Sequence, residues 1–165
     1  MGRKIFFTLM LMCLVPAWVG GAGAAAGGPR ESTLEAYLVK QDKVQGEVLE
    51  RTDTAAPGDV VEYRLVYRNR GAAPLKGLKV EGPIPANTAY LPKSARTRVP
   101  SRFRVSIDGG KTWGPEPVKR MRKQPGGAMK EVVVPPEEYT HVQWLSEAPI
   151  APSGWQIFHY RVRIE

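Results

Sequence analysis

Pro57–Ala95, PGDVVEYRLVYRNRGAAPLKGLKVEGPIPANTAYLPKSA, is the stretch whose reading decides the fold. Val61, Tyr63, Leu65 and Tyr67 recur at every second position, with Glu62, Arg64 and Arg68 between them. A strand turns successive side chains to opposite faces, so this pattern predicts a half-buried strand, apolar inward and wet outward. Asn69-Arg70-Gly71 and Pro74 then supply turn residues, and Leu78 and Val80 alternate with Lys79 and Glu81 in a second strand. Gly82-Pro83-Ile84-Pro85 imposes an extended crossing before the next pairing segment, Thr88 to Leu91.

The alternation returns later in the chain. Phe103, Val105 and Ile107 alternate with Arg102, Arg104 and Ser106; Val142 and Trp144 with His141 and Gln143; Phe158, Tyr160, Val162 and Ile164 with His159, Arg161 and Arg163. The segment Leu34 to Leu49 is less regular and predicts two strands broken near Asp42 to Gly46. No segment carries a helical period, and 15 prolines and 17 glycines punctuate the chain at short intervals. The pattern predicts an all-β fold, an immunoglobulin-like β-sandwich, with a small Greek-key barrel as the alternative that local periodicity cannot separate from it.

Those same residues carry a resemblance. PGDVVEYRLVYRNRG, a short apolar strand and PIPANTAYLPKSA together resemble the bacterial conserved-repeat family known as domain of unknown function eleven. SIDGGKTW (106–113) and YTHVQW (139–144) add a weaker likeness to longer single-domain members. The resemblance implies an immunoglobulin-like domain of exported or cell-surface proteins; it implies no biochemical activity.

The N-terminus reads as a secretory signal. Arg3 and Lys4 precede an apolar run, Ile5 to Val19, followed by GGAGAAAGG. Cleavage is expected after Ala24 or Ala26, so residues 1–26 form the signal and 27–165 one domain in the periplasm or the medium. The run is shorter than the roughly 20 residues that a spanning helix needs, so no transmembrane span is expected after cleavage. Cys13, the single cysteine, lies within the run and follows Met12 rather than the small residue a lipidation site requires. The processed chain then has no thiol, which excludes disulfides, a thiol nucleophile and zinc–thiolate sites.

Ser106-Ile107-Asp108-Gly109-Gly110-Lys111-Thr112-Trp113 matches the Asp-box pattern Ser-x-Asp-x-Gly-x-Thr-Trp and is similar to hairpin turns of sialidases and other propeller proteins. Asp108 can accept bonds from the turn's own amides, Gly110 supplies a positive φ, and Trp113 packs under the loop, so Ser106, Asp108, Gly110, Thr112 and Trp113 read as a structural turn. The box leaves an extracellular carbohydrate-active enzyme as a less favoured reading. His141 and His159 lack any metal-site spacing, and no nucleophile-elbow, P-loop or dinucleotide motif occurs. Neither Glu137-Glu138 nor Glu131, Glu147 and Asp59 have a spacing that converges two carboxylates. No catalytic residue, cofactor or metal is expected.

The formal charge is +8, and +6 without Arg3 and Lys4. Between Lys93 and Lys123 ten Lys or Arg stand against two acids, Asp108 and Glu116. Lys119, Arg120, Arg122 and Lys123 form the densest cluster, beside the flexible turn Gln124-Pro125-Gly126-Gly127. No strand periodicity runs through them, so they are expected in a loop. Such a patch attracts polyanions by its field: anionic polysaccharide or phosphorylated lipid headgroups outside the cytoplasm. Sequence-specific nucleic-acid recognition would need interleaved aromatics, and this span holds only Phe103 and Trp113. The sequence therefore predicts an exported non-enzymatic binding or structural module of the envelope or surface, its partner unassigned, with polyanion binding through 93–123 as the alternative.

Overall fold

The computed structural model describes residues 30–165. The signal segment, Cys13 and both cleavage positions lie outside the described residues. Among the described residues eleven strands form: β1 (Arg30–Asp42), β2 (Gly46–Arg51), β3 (Val60–Asn69), β4 (Lys79–Pro83), β5 (Thr88–Tyr90), β6 (Arg96–Thr97), β7 (Ser101–Ser106), β8 (Lys119–Lys123), β9 (Met129–Val133), β10 (His141–Ser146) and β11 (Trp155–Ile164). A 3-10 turn spans Pro136–Glu138. Among the described residues no helix is long and apolar enough to cross a membrane.

The larger sheet runs β2-β1-β3-β11-β5, with β6 also paired to β11; the smaller runs β4-β10-β7; β8 and β9 form a separate ribbon. Every pairing is antiparallel. The alternating residues of β3 and β11 register on the same face, with Leu65 opposite both Leu34 and Phe158, and Tyr63 opposite Tyr160. That face meets the inner face of the smaller sheet: the Trp144 ring lies 5.6 Å from Phe158 and 6.1 Å from Tyr160, centroid to centroid. The two sheets thus share one core, into which Val61, Val80, Tyr90, Val105, Val142, Phe158, Tyr160 and Val162 are buried. The sheets do not close into a barrel, so the barrel alternative is set aside: β2 and β4 each have a strand on one side only.

Glycine at 82 is required by this approach. A Cβ there would lie 2.7 Å from Tyr160 Cε1, closer than real Cβ contacts, and Tyr160 donates its hydroxyl to the neighbouring Pro83 carbonyl. The turn after β3 is held from inside. Buried Asn69 donates its amide to the carbonyls of Ala73 (2.8 Å) and Ile150 (2.9 Å), and accepts from Gly71 N–H (2.9 Å).

The sequence places Glu62 on the wet face, and the structure corrects this. Glu62 does point away from the core, but it is only 2 % exposed. Arg64 Nε donates to its Oε1 (2.8 Å) and Arg161 Nε to its Oε2 (2.9 Å), and the Arg64 guanidinium also lies 4.6 Å over the Tyr37 ring. Long side chains of one face, laid across each other, bury a carboxylate outside the core.

Candidate functional site

The strongest concentration of charge stands on the β8–β9 ribbon, inserted between β7 and β10. Its base is anchored: Val134 is fully buried and its N–H bonds to Val118 O (2.8 Å), while Val118 N–H bonds to the Tyr139 hydroxyl (3.2 Å). Its tip is closed by Gly127 N–H to Gln124 O (2.8 Å) and Gln124 N–H to Ala128 O (2.9 Å), with Gly127 at φ 85°. The expectation of a loop at 119–123 is therefore corrected. Lys119, Arg120, Arg122 and Lys123 lie on a strand, paired residue for residue from Lys119↔Val133 to Lys123↔Met129.

All five residues of β8 are exposed. Lys130 on β9 adds a fifth cation, brought directly opposite Arg122 by the pairing of the two strands. Two acids answer them. Glu131 takes Lys119 Nζ at 3.0 Å, and Glu138 on the 3-10 turn takes Arg122 Nη2 at 2.6 Å on both oxygens. Arg120, Lys123 and Lys130 have no acidic partner among the described residues. A twisted two-stranded ribbon thus holds five cations at fixed spacing, away from the low-dielectric core.

The remaining cations of 93–123 do not join this cluster. Arg102 and Arg104 stand on the outward face of β7, Arg102 beside Glu147 at 3.3 Å, and Lys111 sits in the Asp-box loop. Arg96 pairs across to His159 on the outer face of the larger sheet. There Arg64, Arg98, Trp155, Ile157 and His159 line a groove of about 390 Å³, and Lys93, Arg96 and Arg161 with Glu47 and Glu62 line an adjoining hollow. Arg161 spans the two acids, reaching Glu47 Oε1 at 2.5 Å and Glu62 Oε2 at 2.9 Å. Burial is the largest influence on Glu62 and would raise its pKa, but hydrogen bonds from Arg64 and Arg161, with the charges of His159 and Arg161, hold it below the ordinary carboxylate value. Burial also pushes the His159 imidazole below its usual value, with Arg64, Arg161 and Arg96 acting in the same sense against Glu62. Sequence reasoning missed this grouping. Alternation puts His159 and Arg161 on one face, but only register brings Glu62, Arg64 and Arg96 beside them.

Within the Asp box the carboxylate's bonds are internal to the loop, while Gly109 N–H reaches out to Thr140 Oγ1 at 3.0 Å. Ser106 Oγ donates to Asp108 Oδ1 (2.8 Å) and accepts from Gly110 N–H (2.9 Å). Asp108 accepts Thr112 N–H on Oδ1 (2.9 Å) and the Thr112 hydroxyl on Oδ2 (2.5 Å). The Thr112 hydroxyl, then its amide, then Ser106 hold the Asp108 carboxyl far below the usual range. Gly110 has φ 83°, and a Cβ there would come within 3.4 Å of the Trp113 ring, which itself lies edge-on to His141 at 6.5 Å.

His141 and His159 sit on strands of different sheets, β10 and β11, and do not converge. Among the described residues no three His, Cys, Asp or Glu gather as a metal site. Glu138 is engaged by Arg122 rather than by a second carboxylate. Compared with models of known families, with curated proteins and with solved structures, the chain matches none.

Proposed function

We propose that this chain is an exported, non-enzymatic binding module of the periplasm or the cell exterior that engages anionic polymers or surfaces through the β8–β9 ribbon. The observation that carries the reading is the ribbon itself: five exposed cations on an anchored hairpin, three of them without an acidic partner among the described residues. Export is supported by the tripartite N-terminal sequence, and the resemblance of Pro57–Ala95 to domain of unknown function eleven is in keeping with it. The layering, two antiparallel sheets over one core, fits an immunoglobulin-like domain, although the last strand lies centrally, between β3 and β5, in an order of its own. The competing reading, a carbohydrate-active enzyme, rests on the single Asp box, whose carboxylate is committed to its own loop.

Binding to heparin, lipopolysaccharide and a neutral glucan at several salt concentrations tests the proposal. The two anionic ligands should bind and the neutral one should not. Affinity should fall as the screening length shrinks from about 10 Å at 0.1 M to about 3 Å at 1 M. Replacing Lys119, Arg120, Arg122 and Lys123 together by Gln should weaken both anionic interactions with the core fold intact by circular dichroism. Undiminished binding in that variant, or none by the native protein in dilute buffer, refutes the proposal.

A further inference from the structure

The ribbon's two faces are chemically unlike. Arg122 reaches back to Glu138 on the body of the protein, and Arg120, Lys130 and half-buried Val132 share its face by alternation and register. The opposite face, turned away from that contact, carries Lys119, Met121 and Lys123 from β8 and Met129, Glu131 and Val133 from β9. Met121, Met129 and Val133 are each 57 % exposed, three of the five large apolar side chains so exposed among the described residues. The others stand elsewhere: Val44 in the β1–β2 turn, and Trp155 at the start of β11, in the groove it lines with Ile157 and His159.

We infer that this face docks on an anionic lipid bilayer, Met121, Met129 and Val133 entering the headgroup–acyl boundary while Lys119 and Lys123 of the same face meet the phosphates. The inference rests on the anionic-ligand reading above and deepens it. Charge complementarity alone would serve a polysaccharide or a nucleic acid equally well. Three apolar side chains on the outward face, rimmed by ammonium groups, have no counterpart in a sulfated or phosphorylated polymer. Interfacial attachment depends on both signals together, apolar burial and attraction to anionic headgroups. Methionine's unbranched thioether suits an irregular lipid boundary.

The chain as processed by an exporting host is mixed with vesicles of phosphatidylcholine alone, or of phosphatidylcholine with phosphatidylglycerol, and sedimented. Binding should require the anionic lipid. Met121→Ser/Met129→Ser/Val133→Thr should weaken vesicle binding by about tenfold or more and leave heparin binding unchanged. All three residues are exposed, so its melting curve should match that of the native protein. A second measurement needs no loss of function: Met121→Cys, labelled with an environment-sensitive fluorophore, should shift to the blue on adding the mixed vesicles. Vesicle binding unchanged in the triple variant, a label that stays in water, or a preference for heparin or duplex DNA over vesicles overturns the lipid inference while the anionic-ligand reading survives. Full vesicle and heparin binding by the four-glutamine variant overturns both.

Discussion

Leu65→Ala tests the sheet faces most directly. Leu65 is 6 % exposed, between Leu34 and Phe158 on neighbouring strands. Truncation at Cβ removes three carbons, about 2.4 kcal/mol at about 0.8 kcal/mol per buried group. A residual cavity of about 50 Å³ at about 24 cal/mol per Å³ adds about 1.2 kcal/mol. The expected loss is therefore about 3–4 kcal/mol, or a melting point lower by about 10 °C. Arg68→Ala is the proper surface control: Arg68 is exposed and unpaired among the described residues, so it should cost no more than about 0.5 kcal/mol. Arg64→Ala should fall between, at about 1–2 kcal/mol, because it strips one of two guanidiniums from a buried carboxylate. Urea unfolding followed by fluorescence of buried Trp144 measures all three. Equal midpoints for Leu65→Ala and Arg68→Ala would refute the assignment of faces.

Gly82→Ala should destabilise by about 1–3 kcal/mol, since the new methyl overlaps the Tyr160 ring in a packed core; an unchanged urea midpoint would contradict that packing. Asp108→Ala should lower the melting temperature by removing the acceptor of both Thr112 bonds, with glycoside hydrolysis undetectable before and after; turnover by the native protein, abolished in a folded variant, would reverse the reading of the box. Stability should fall in acid in two stages. His159 has its folded pKa below 6.5, so its contribution is complete above that value and erodes as pH falls from there toward the folded pKa. Glu62 has its folded pKa below 4.5, so its contribution is present above 4.5 and is lost as pH falls through the folded value. Melting curves between pH 7 and about 3 check this, and Glu62→Gln should reduce the lower stage, which Glu47 and Asp108 share because hydrogen bonds also hold their carboxyls below the ordinary range; an identical profile in that variant would exclude Glu62 as a source.

The sequence alone determined which side chains face the core. Val61, Tyr63 and Leu65, Phe158, Tyr160 and Val162, and Val142 and Trp144 are all buried as their alternation predicts, because the direction of a side chain from a strand is a local property and one-sided burial writes a period of two. The break between β1 and β2 was legible for a similar reason: the Asp42 carboxylate accepts the amides of Val44 and Gln45, a contact within one turn. The ribbon was not legible, and the cause is the same rule in reverse. Lys119–Lys123 stands clear of the core on both faces, so no asymmetry of burial marks it as a strand; only its pairing with Met129–Val133 reveals one. The burial of Glu62, the meeting of Arg96 with His159 and the dispersal of the 93–123 cations were decided by the tertiary structure alone. Each depends on which strands lie side by side and in what register, and that is set by contacts between residues far apart in the chain.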